Sequence, residues 1–458
     1  MDIKQWENKN LSHFSYGILS NCEKEIVLID PSRDPAPYLQ YAKDNDAKII
    51  AIMETHPHAD FISSHKELHD ITGAKIYTSK LVHAQYPHHS FDDGDAFEFG
   101  KIKLSAINTP GHSPDSISIL MEHSGKQHAV FTGDTLFIGD CGRPDLREGA
   151  GNIKMNRKEL AKHMYNSLRQ KLAVLEDQVI LYPAHGAGTL CGKSLSDAHS
   201  STIGDEKQTN WSLQEMTEEE FINQLLADQP FIPAYFPFDV EVNRKGASGF
   251  VESTSQIKYA GEINVKENDF SSFDNIWIVD VRDQSAFKKD HLPHSINIMQ
   301  DGKFETWLGS LIQPHEQFYL VGDNEKQLKE IVNRVAIIGY ESQVVSSYAL
   351  INGGESSSPI NVSSFKENLG SYTIVDVRNA GEVEKDTIFN NSINIPLSEI
   401  RQRINEIPGN KPIVVHCAGG YRSAAASSII EEAFRAKQRV FDLGDAIKQF
   451  SDKKEPVH

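Results

Sequence analysis

Between Glu54 and His65 the chain reads Glu-Thr-His-Pro-His-Ala-Asp-Phe-Ile-Ser-Ser-His, with His56, His58 and Asp60 at alternate positions. In extended backbone alternate side chains point the same way, so these three can converge on one cation, whereas a helix would fan them apart. Three later segments end on the same kinds of donor: His112 in Thr109-Pro-Gly-His, Asp134 in Phe131-Thr-Gly-Asp and His185 in Tyr182-Pro-Ala-His. A second centre of a different kind lies at Ile413-Val-Val-His-Cys-Ala-Gly-Gly-Tyr-Arg422. Small residues after Cys417 let backbone amides curl toward the sulfur, and the helix that follows adds positive potential at its N-terminus. Both stabilise a thiolate or persulfide anion.

These residues need strands to deliver them. The run Lys48-Ile-Ile-Ala-Ile52 is β-branched and lacks polar alternation, which predicts a buried strand feeding His56. Val130-Phe-Thr-Gly-Asp134 and Val179-Ile-Leu-Tyr-Pro-Ala-His185 repeat that design, and Glu25-Ile-Val-Leu-Ile-Asp-Pro31 reads as a strand ending in a turn. Residues 75–79, 96–106 and 116–121 also read as strands, and 35–44, 64–72 and 217–228 as helices, the rhythm of an α/β domain. The prolines of 230–237 predict an extended segment closing that domain, and 243–249 a linker.

Beyond the linker the sequence repeats itself. Ile276-Trp-Ile-Val-Asp-Val-Arg282 precedes Ser295-Ile-Asn-Ile298, and Tyr372-Thr-Ile-Val-Asp-Val-Arg378 precedes Ser392-Ile-Asn-Ile395. Two copies of one small parallel-sheet α/β domain of about a hundred residues account for this. The expected boundaries are 1–245, 255–355 and 358–455. In the first copy Gln317-Phe-Tyr-Leu-Val-Gly-Asp-Asn324 stands where a strand should deliver the cysteine, with Gly322 or Asp323 in its place, so that copy should be inert.

A net charge of -18 disfavours a nucleic-acid or membrane-surface partner. No run of roughly eighteen apolar residues predicts a spanning helix, and Met1-Asp-Ile-Lys-Gln-Trp-Glu lacks a signal-like apolar region. Four scattered cysteines fit a reduced, cytoplasmic protein better than a disulfide framework. Cys22 reads as structural, and the His88-His89 pair as solvated loop. Gly192-Lys193-Ser194 nearly completes a phosphate loop, but the first glycine of that motif is replaced by Ala187 and no apolar helix follows.

The ordered segments around His56, His58, Asp60, His112, Asp134 and His185 resemble the metallo-β-lactamase superfamily. That resemblance implies an αββα sandwich. The superfamily's fuller motif has a histidine directly after the aspartate, where this chain has Phe61, so a two-ion hydrolytic site looks compromised. Gly139-Asp-Cys-Gly-Arg-Pro-Asp145 resembles the signature of persulfide dioxygenases. In that family one Fe(II) per domain is held by the positions of His56, His112 and Asp134, a two-histidine, one-carboxylate set with open positions for a thiol persulfide and O2. The resemblance leaves His58, Asp60 and His185 either as outer residues that orient ligands or polarise bound oxygen, or as remnants of a lost second site. Arg143 offers a guanidinium fork to an anionic part of the substrate. Cys141 and Cys191 read either as small apolar residues near the pocket or as thiols that exchange with the persulfide, the loop around Cys191 resembling one in dioxygenases fused to sulfurtransferase domains.

The Cys417 loop with Asp376-Val-Arg378 resembles a rhodanese, with Cys417 as sulfur carrier and Arg422 closing the loop. A phosphatase loop would space Cys and Arg by one residue more. The implied architecture is multi-domain α/β: a metallo-β-lactamase sandwich followed by two rhodanese-like domains. The implied activity is oxidation of small thiol persulfides to sulfite and transfer of sulfane sulfur to sulfite, giving thiosulfate, in sulfide detoxification. Relatives of this kind often form homo-oligomers. Two rivals stay open, a glyoxalase II-like two-zinc thioester hydrolase fused to a sulfurtransferase, and a non-catalytic sulfur carrier or sensor.

Overall fold

The computed structural model describes residues 1–146, 155–266, 273, 276–435 and 437–450. It divides into two compact units, Met1–Thr254 with Val335–Gly339, and Ser255–Arg334 with Tyr340–His458. The expected end of the last domain, at 455, lies outside the described residues.

The first unit holds two six-stranded sheets. One runs in sequence order through β1 (Asp2–Asn8), β2 (His13–Ser20), β3 (Glu25–Ile29), β4 (Lys48–Met53), β5 (Lys75–Thr78) and β6 (His89–Ser90). The other contains β7 (Ala96–Phe99), β8 (Ile102–Asn108), β9 (Ile117–His123), β10 (Lys126–Gly133), β11 (Ile180–Pro183) and β12 (Ser201–Thr202), again neighbours in sequence order. Tyr16, Val27 and Met53 from one sheet and Leu104, Ile119 and Phe131 from the other share one apolar cluster, so the sheets pack face to face. Separate clusters cover the outer faces. Tyr38, Ala42 and Leu68 lie with Ile26 and Ile52, while Met164, Leu168, Phe221 and Leu225 lie with Val130 and Leu181. The result is a helix–sheet–sheet–helix sandwich in which β2 is buried along its whole length.

Two local expectations change. Residues 96–106 form a hairpin, β7 and β8, because Gly100 turns the chain at φ +56°. Residues 230–237 do not stay extended, because a helix begins at Phe236 with Pro237 in its first turn, where a missing N–H costs nothing. That helix, Phe236–Lys245, absorbs Asn243 from the expected linker.

The second unit holds a five-stranded and a four-stranded sheet, each with parallel neighbours. The first contains β13 (Tyr259–Asn264), β14 (Trp277–Asp280), β15 (Ser295–Asn297), β16 (Phe318–Gly322) and β17 (Val344–Asn352), in the order β13-β17-β16-β14-β15. The second contains β18 (Thr373–Asp376), β19 (Ile393–Asn394), β20 (Ile413–His416) and β21 (Val440–Asp442), in the order β19-β18-β20-β21. The helix after Cys417 spans Tyr421–Phe434. Gly420 caps it at φ +96°, a conformation that lets the first turn close at once. No helix among the described residues is long and apolar enough to cross a membrane.

Candidate functional site

The strands deliver their donors, but the loop after β4 is not extended, so His56 parts from His58 and Asp60 instead of sharing one donor group with them. Beyond β4 and β10 and in the turn after β8, the side chains of His56, Asp134 and His112 bring one donor atom each within 4.8 Å of one another. His58, Asp60 and His185 form a second such group, and Asp134, His185 and Cys191 a third. All are buried. Asp134 is the hinge of the arrangement: its Oδ2 lies 3.5 Å from His112 Nε2 and 3.9 Å from His56 Nε2, while Oδ1 lies 3.5 Å from His185 Nε2. His185 Nε2 is also 3.5 Å from Asp60 Oδ2.

These separations exceed hydrogen bonds, and among the described residues neither Asp134 oxygen meets hydrogen-bond geometry with a nitrogen or hydroxyl donor. They suit a cation instead, since ligands about 2.1 Å from a common ion stand roughly 3.0–3.4 Å apart. Burial alone would raise the Asp134 pKa, and the surrounding imidazoles hold it below the usual carboxylate range. The residues present therefore fit a metal ion at His56, His112 and Asp134.

Behind them stands a support that the sequence did not single out. Asp30, at the end of β3, accepts the Thr55 amide at 2.7 Å and the Thr55 hydroxyl at 2.8 Å. It also lies 3.2 Å from His58 Nε2. Burial would lower the His58 pKa, but Asp30 overrides it and pushes the imidazole up to about 9. Glu54, buried beside Asp30, is raised to about 8 and accepts Ser63 Oγ at 2.8 Å. Carboxylates behind metal-facing imidazoles fix ring orientation and tautomer. Asn243 clamps the same loop: its Nδ2 donates to the carbonyls of His58 at 2.8 Å and Phe61 at 2.7 Å, and its Oδ1 accepts the Ser63 amide.

Phe61 fills its position with an apolar ring 4.4 Å from the His58 ring and 3.9 Å from that of His13. His13 is the other unforeseen residue. It is fully buried near His58 and His185, and burial and then those neighbours drive its pKa well below the ordinary value.

The Cys141-Gly-Arg143 segment sits differently from what the sequence suggested. Gly142 has no room for a side chain, because a Cβ would stand 1.9 Å from the Asp134 carbonyl oxygen. Cys141 belongs to the apolar cluster with Ala161 and Leu168, and burial raises its thiol pKa well above normal. The Arg143 fork is already filled. Its Nε and Nη2 each donate to Asp145 at 2.7 Å, and Nη1 reaches the Leu190 carbonyl at 3.3 Å. With its amide on the Cys191 carbonyl at 3.0 Å, Arg143 fastens the Cys191 loop next to Asp134. The Cys191 thiol is likewise raised well above normal, by burial and then by Asp134. The phosphate-loop lookalike is spoken for too, since Asp140 Oδ2 accepts the Lys193 and Ser194 amides at 2.8 and 2.9 Å.

A sequence profile of the metallo-beta-lactamase superfamily matches residues 22–185. The human mitochondrial persulfide dioxygenase ETHE1 is 32% identical over 215 residues, which cover 46% of this chain and 74% of that protein. The chain belongs to the metallo-beta-lactamase superfamily. Hydrolases of the superfamily are also similar to it: hydroxyacylglutathione hydrolase from Francisella philomiragia is 30% identical, covering 40% of this chain and 68% of the relative. A crystal structure of a metallo-beta-lactamase from Staphylococcus aureus superposes with a TM-score of 0.67 at 30% identity, covering 76% of this chain and 98% of that one. The rhodanese-like domain profile matches twice, at residues 265–352 and 361–453, so tandem rhodanese-like domains follow the superfamily domain.

In the second rhodanese-like copy Cys417 is buried at the end of β20, and the Gly420 amide donates to its Sγ at 3.1 Å. Arg422 lies in the first helical turn with its Nη1 and Nη2 on the Glu382 carboxylate at 2.5 and 2.9 Å. In the first copy register decides which residue replaces the cysteine. Asp280 pairs with Val321 as Asp376 pairs with His416, which puts Gly322 at the cysteine's position. A Cβ on Gly322 would stand 2.6 Å from Gln327 Oε1, so a side chain occupies the place of the sulfur.

Proposed function

We propose that the N-terminal domain oxidises low-molecular-weight thiol persulfides with O2 at one Fe(II) held by His56, His112 and Asp134, and that Cys417 transfers sulfane sulfur to sulfite. The observation that carries the first half is Phe61: the position that would complete a second ion's ligands holds an apolar ring packed between His13 and His58. The second half rests on the Cys417 sulfur receiving a loop amide.

Held by three protein donors, ferrous iron supplies redox chemistry and open positions for two small reactants. The chain's own residues orient and enclose. Asp30 aligns His58, the Thr55 hydroxyl 3.0 Å from His56 Nδ1 orients that ring, and Asn243 fixes the loop between them. Phe61 keeps the adjoining space apolar. The balanced reaction takes a persulfide, O2 and water to the thiol, sulfite and two protons, the outer sulfur losing four electrons to oxygen. Cys191, next to Asp134, lines the substrate's approach, while Arg143 acts through the loop it fastens. The four cysteines stay reduced in a cytoplasmic setting.

One observation favours a second reading. His58, Asp60 and His185 still bring their donors together, and a thioester hydrolase with two zinc ions would use them. Oxygen uptake by anaerobically iron-loaded protein given glutathione persulfide separates the two. Uptake is expected, Asp134→Ala should abolish it, and Cys417→Ser should keep it while the product shifts from thiosulfate to sulfite. Two zinc ions and no iron per chain, with thioester hydrolysis and no uptake, would establish the hydrolase instead.

A further inference from the structure

The only cationic side chain between Cys417 and Arg422 is Arg422 itself, and it is not left to meet an anion alone. Glu382 takes both outer nitrogens of its guanidinium, in the bidentate geometry that makes such pairs strong. Glu382 is itself held. It stands in the first turn of the helix Ala380–Lys385, where its carboxylate accepts the Asn379 amide at 3.1 Å. A second cation stands near the loop: Lys288, on the helix Gln284–Lys289 of the first copy, lies beside Gly444, which packs against Gly420, and it too carries a carboxylate, Asp442 at 2.6 Å. The sulfur-carrying loop is thus flanked by cations whose charge is already offset.

The duplication provides an internal comparison. Arg282 and Arg378 each donate to the aspartate two residues earlier and to the carbonyl eight residues later, so the two copies align without a gap through this stretch. That alignment puts Ala286 where Glu382 stands. The copy that lacks the cysteine therefore also lacks the glutamate and the arginine, whereas it keeps the Asp–Arg pair that braces the scaffold. Glu382 goes with the chemistry rather than with the fold.

We propose that Glu382 is a specificity-determining residue for sulfur transfer: by offsetting the Arg422 charge it keeps the Cys417 loop a weak holder of thiosulfate, so that thiosulfate leaves once formed. This rests on the sulfurtransferase reading of Cys417. In the forming direction the lone pair of sulfite attacks the outer sulfur of the Cys417 persulfide. The new S–S bond of thiosulfate forms, the bond to Cys417 breaks, and its electron pair returns to the Cys417 thiolate. The product is a dianion beside the loop, and an unpaired guanidinium there would retain it.

The test uses the full chain with thiosulfate as donor and cyanide as acceptor. Glu382→Gln removes the charge but keeps a side chain suited to the helix's first turn. It should lower the KM for thiosulfate by about 3- to 10-fold, the size expected for one charge acting on a dianion at roughly 7 Å through a water-like medium. The shift should shrink at high salt, which a packing defect would not do, and Glu382→Asp should stay close to the parent. An unchanged or raised KM in Glu382→Gln, or a shift that ignores salt, overturns the proposal while leaving Cys417 as carrier. If the parent protein moves no sulfur from thiosulfate or glutathione persulfide to cyanide, the sulfurtransferase reading fails, and this proposal with it.

Discussion

The two rhodanese-like copies share a brace and differ in a loop. In each, an aspartate ending a central strand, Asp280 or Asp376, holds an arginine two residues on. In each, an asparagine, Asn297 or Asn394, donates to the carbonyls of both. After the next strand they part. Four residues, 417–420, separate His416 from the helix that begins at Tyr421, whereas three, 322–324, separate its counterpart Val321 from the helix Glu325–Ile337. The shorter connection leaves no ring of amides, and Gln327 accepts the Asp323 amide at 2.6 Å in its stead. Scaffold and sulfur chemistry are therefore separable: the brace holds a copy together whether or not the loop can do anything.

The largest expected effect tests the loop. Cys417→Ser should cut sulfur transfer by at least about a thousandfold, as loss of a nucleophile does elsewhere. Adding Gly322→Cys to that variant should not restore it, because the new side chain meets Gln327 and lacks the amides. Transfer to cyanide and the mass of a persulfide on the peptide containing position 322 are the readouts. Sulfur carried at that position by the Gly322→Cys variant would break the contrast.

The next effect tests the brace. Asp280→Ala and Asp376→Ala each strand a buried guanidinium, and breaking such a pair costs about 3–5 kcal/mol. Urea titrations of the full chain should show similar losses for both. A loss below about 1 kcal/mol in one variant alone would mean that the copies are not braced alike.

Much of this was legible because period and punctuation carry it. The runs before His56, Asp134 and His185 are strands, buried toward their ends in β4 and β10 and half-buried in β11, and a strand's end is where a side chain can leave the sheet and meet others. The duplication, the altered loop of the first copy and the Phe61 substitution are local facts of sequence as well. What escaped was long-range pairing. Nothing near Asn243 signals that it will bind the carbonyls of His58 and Phe61, since only the fold brings that helix to the loop. His13 belongs to none of the spaced donor segments, and only the fold brings the start of β2 to His58 and His185. Asp30 was nearer to hand, because it follows β3 as the other donors follow their strands. The partner of Arg143 was within view, two residues away at Asp145, and a bidentate pair at that spacing leaves little guanidinium for a substrate.

The smallest effect distinguishes the copies by pH. His416 is buried before Cys417, and burial, partly opposed by Asp376 3.7 Å away, pushes its pKa down to about 4 from 6.5. The folded protein therefore refuses a proton that the unfolded chain accepts. Stability from this group is intact above pH 6.5 and falls as the pH drops toward 4, by about 2 kcal/mol at pH 5 and at most about 3 kcal/mol below that window. The matching residue of the first copy, Val321, cannot titrate. His416→Val should therefore flatten the acid side of the curve. Measured by urea unfolding, the parent should lose more stability than the variant between pH 7 and pH 5, and the two should run parallel between pH 7 and pH 8. Parallel losses down to pH 5 would mean that His416 takes up its proton in the folded state, and that the strand before Cys417 is more open to water than its counterpart at Val321.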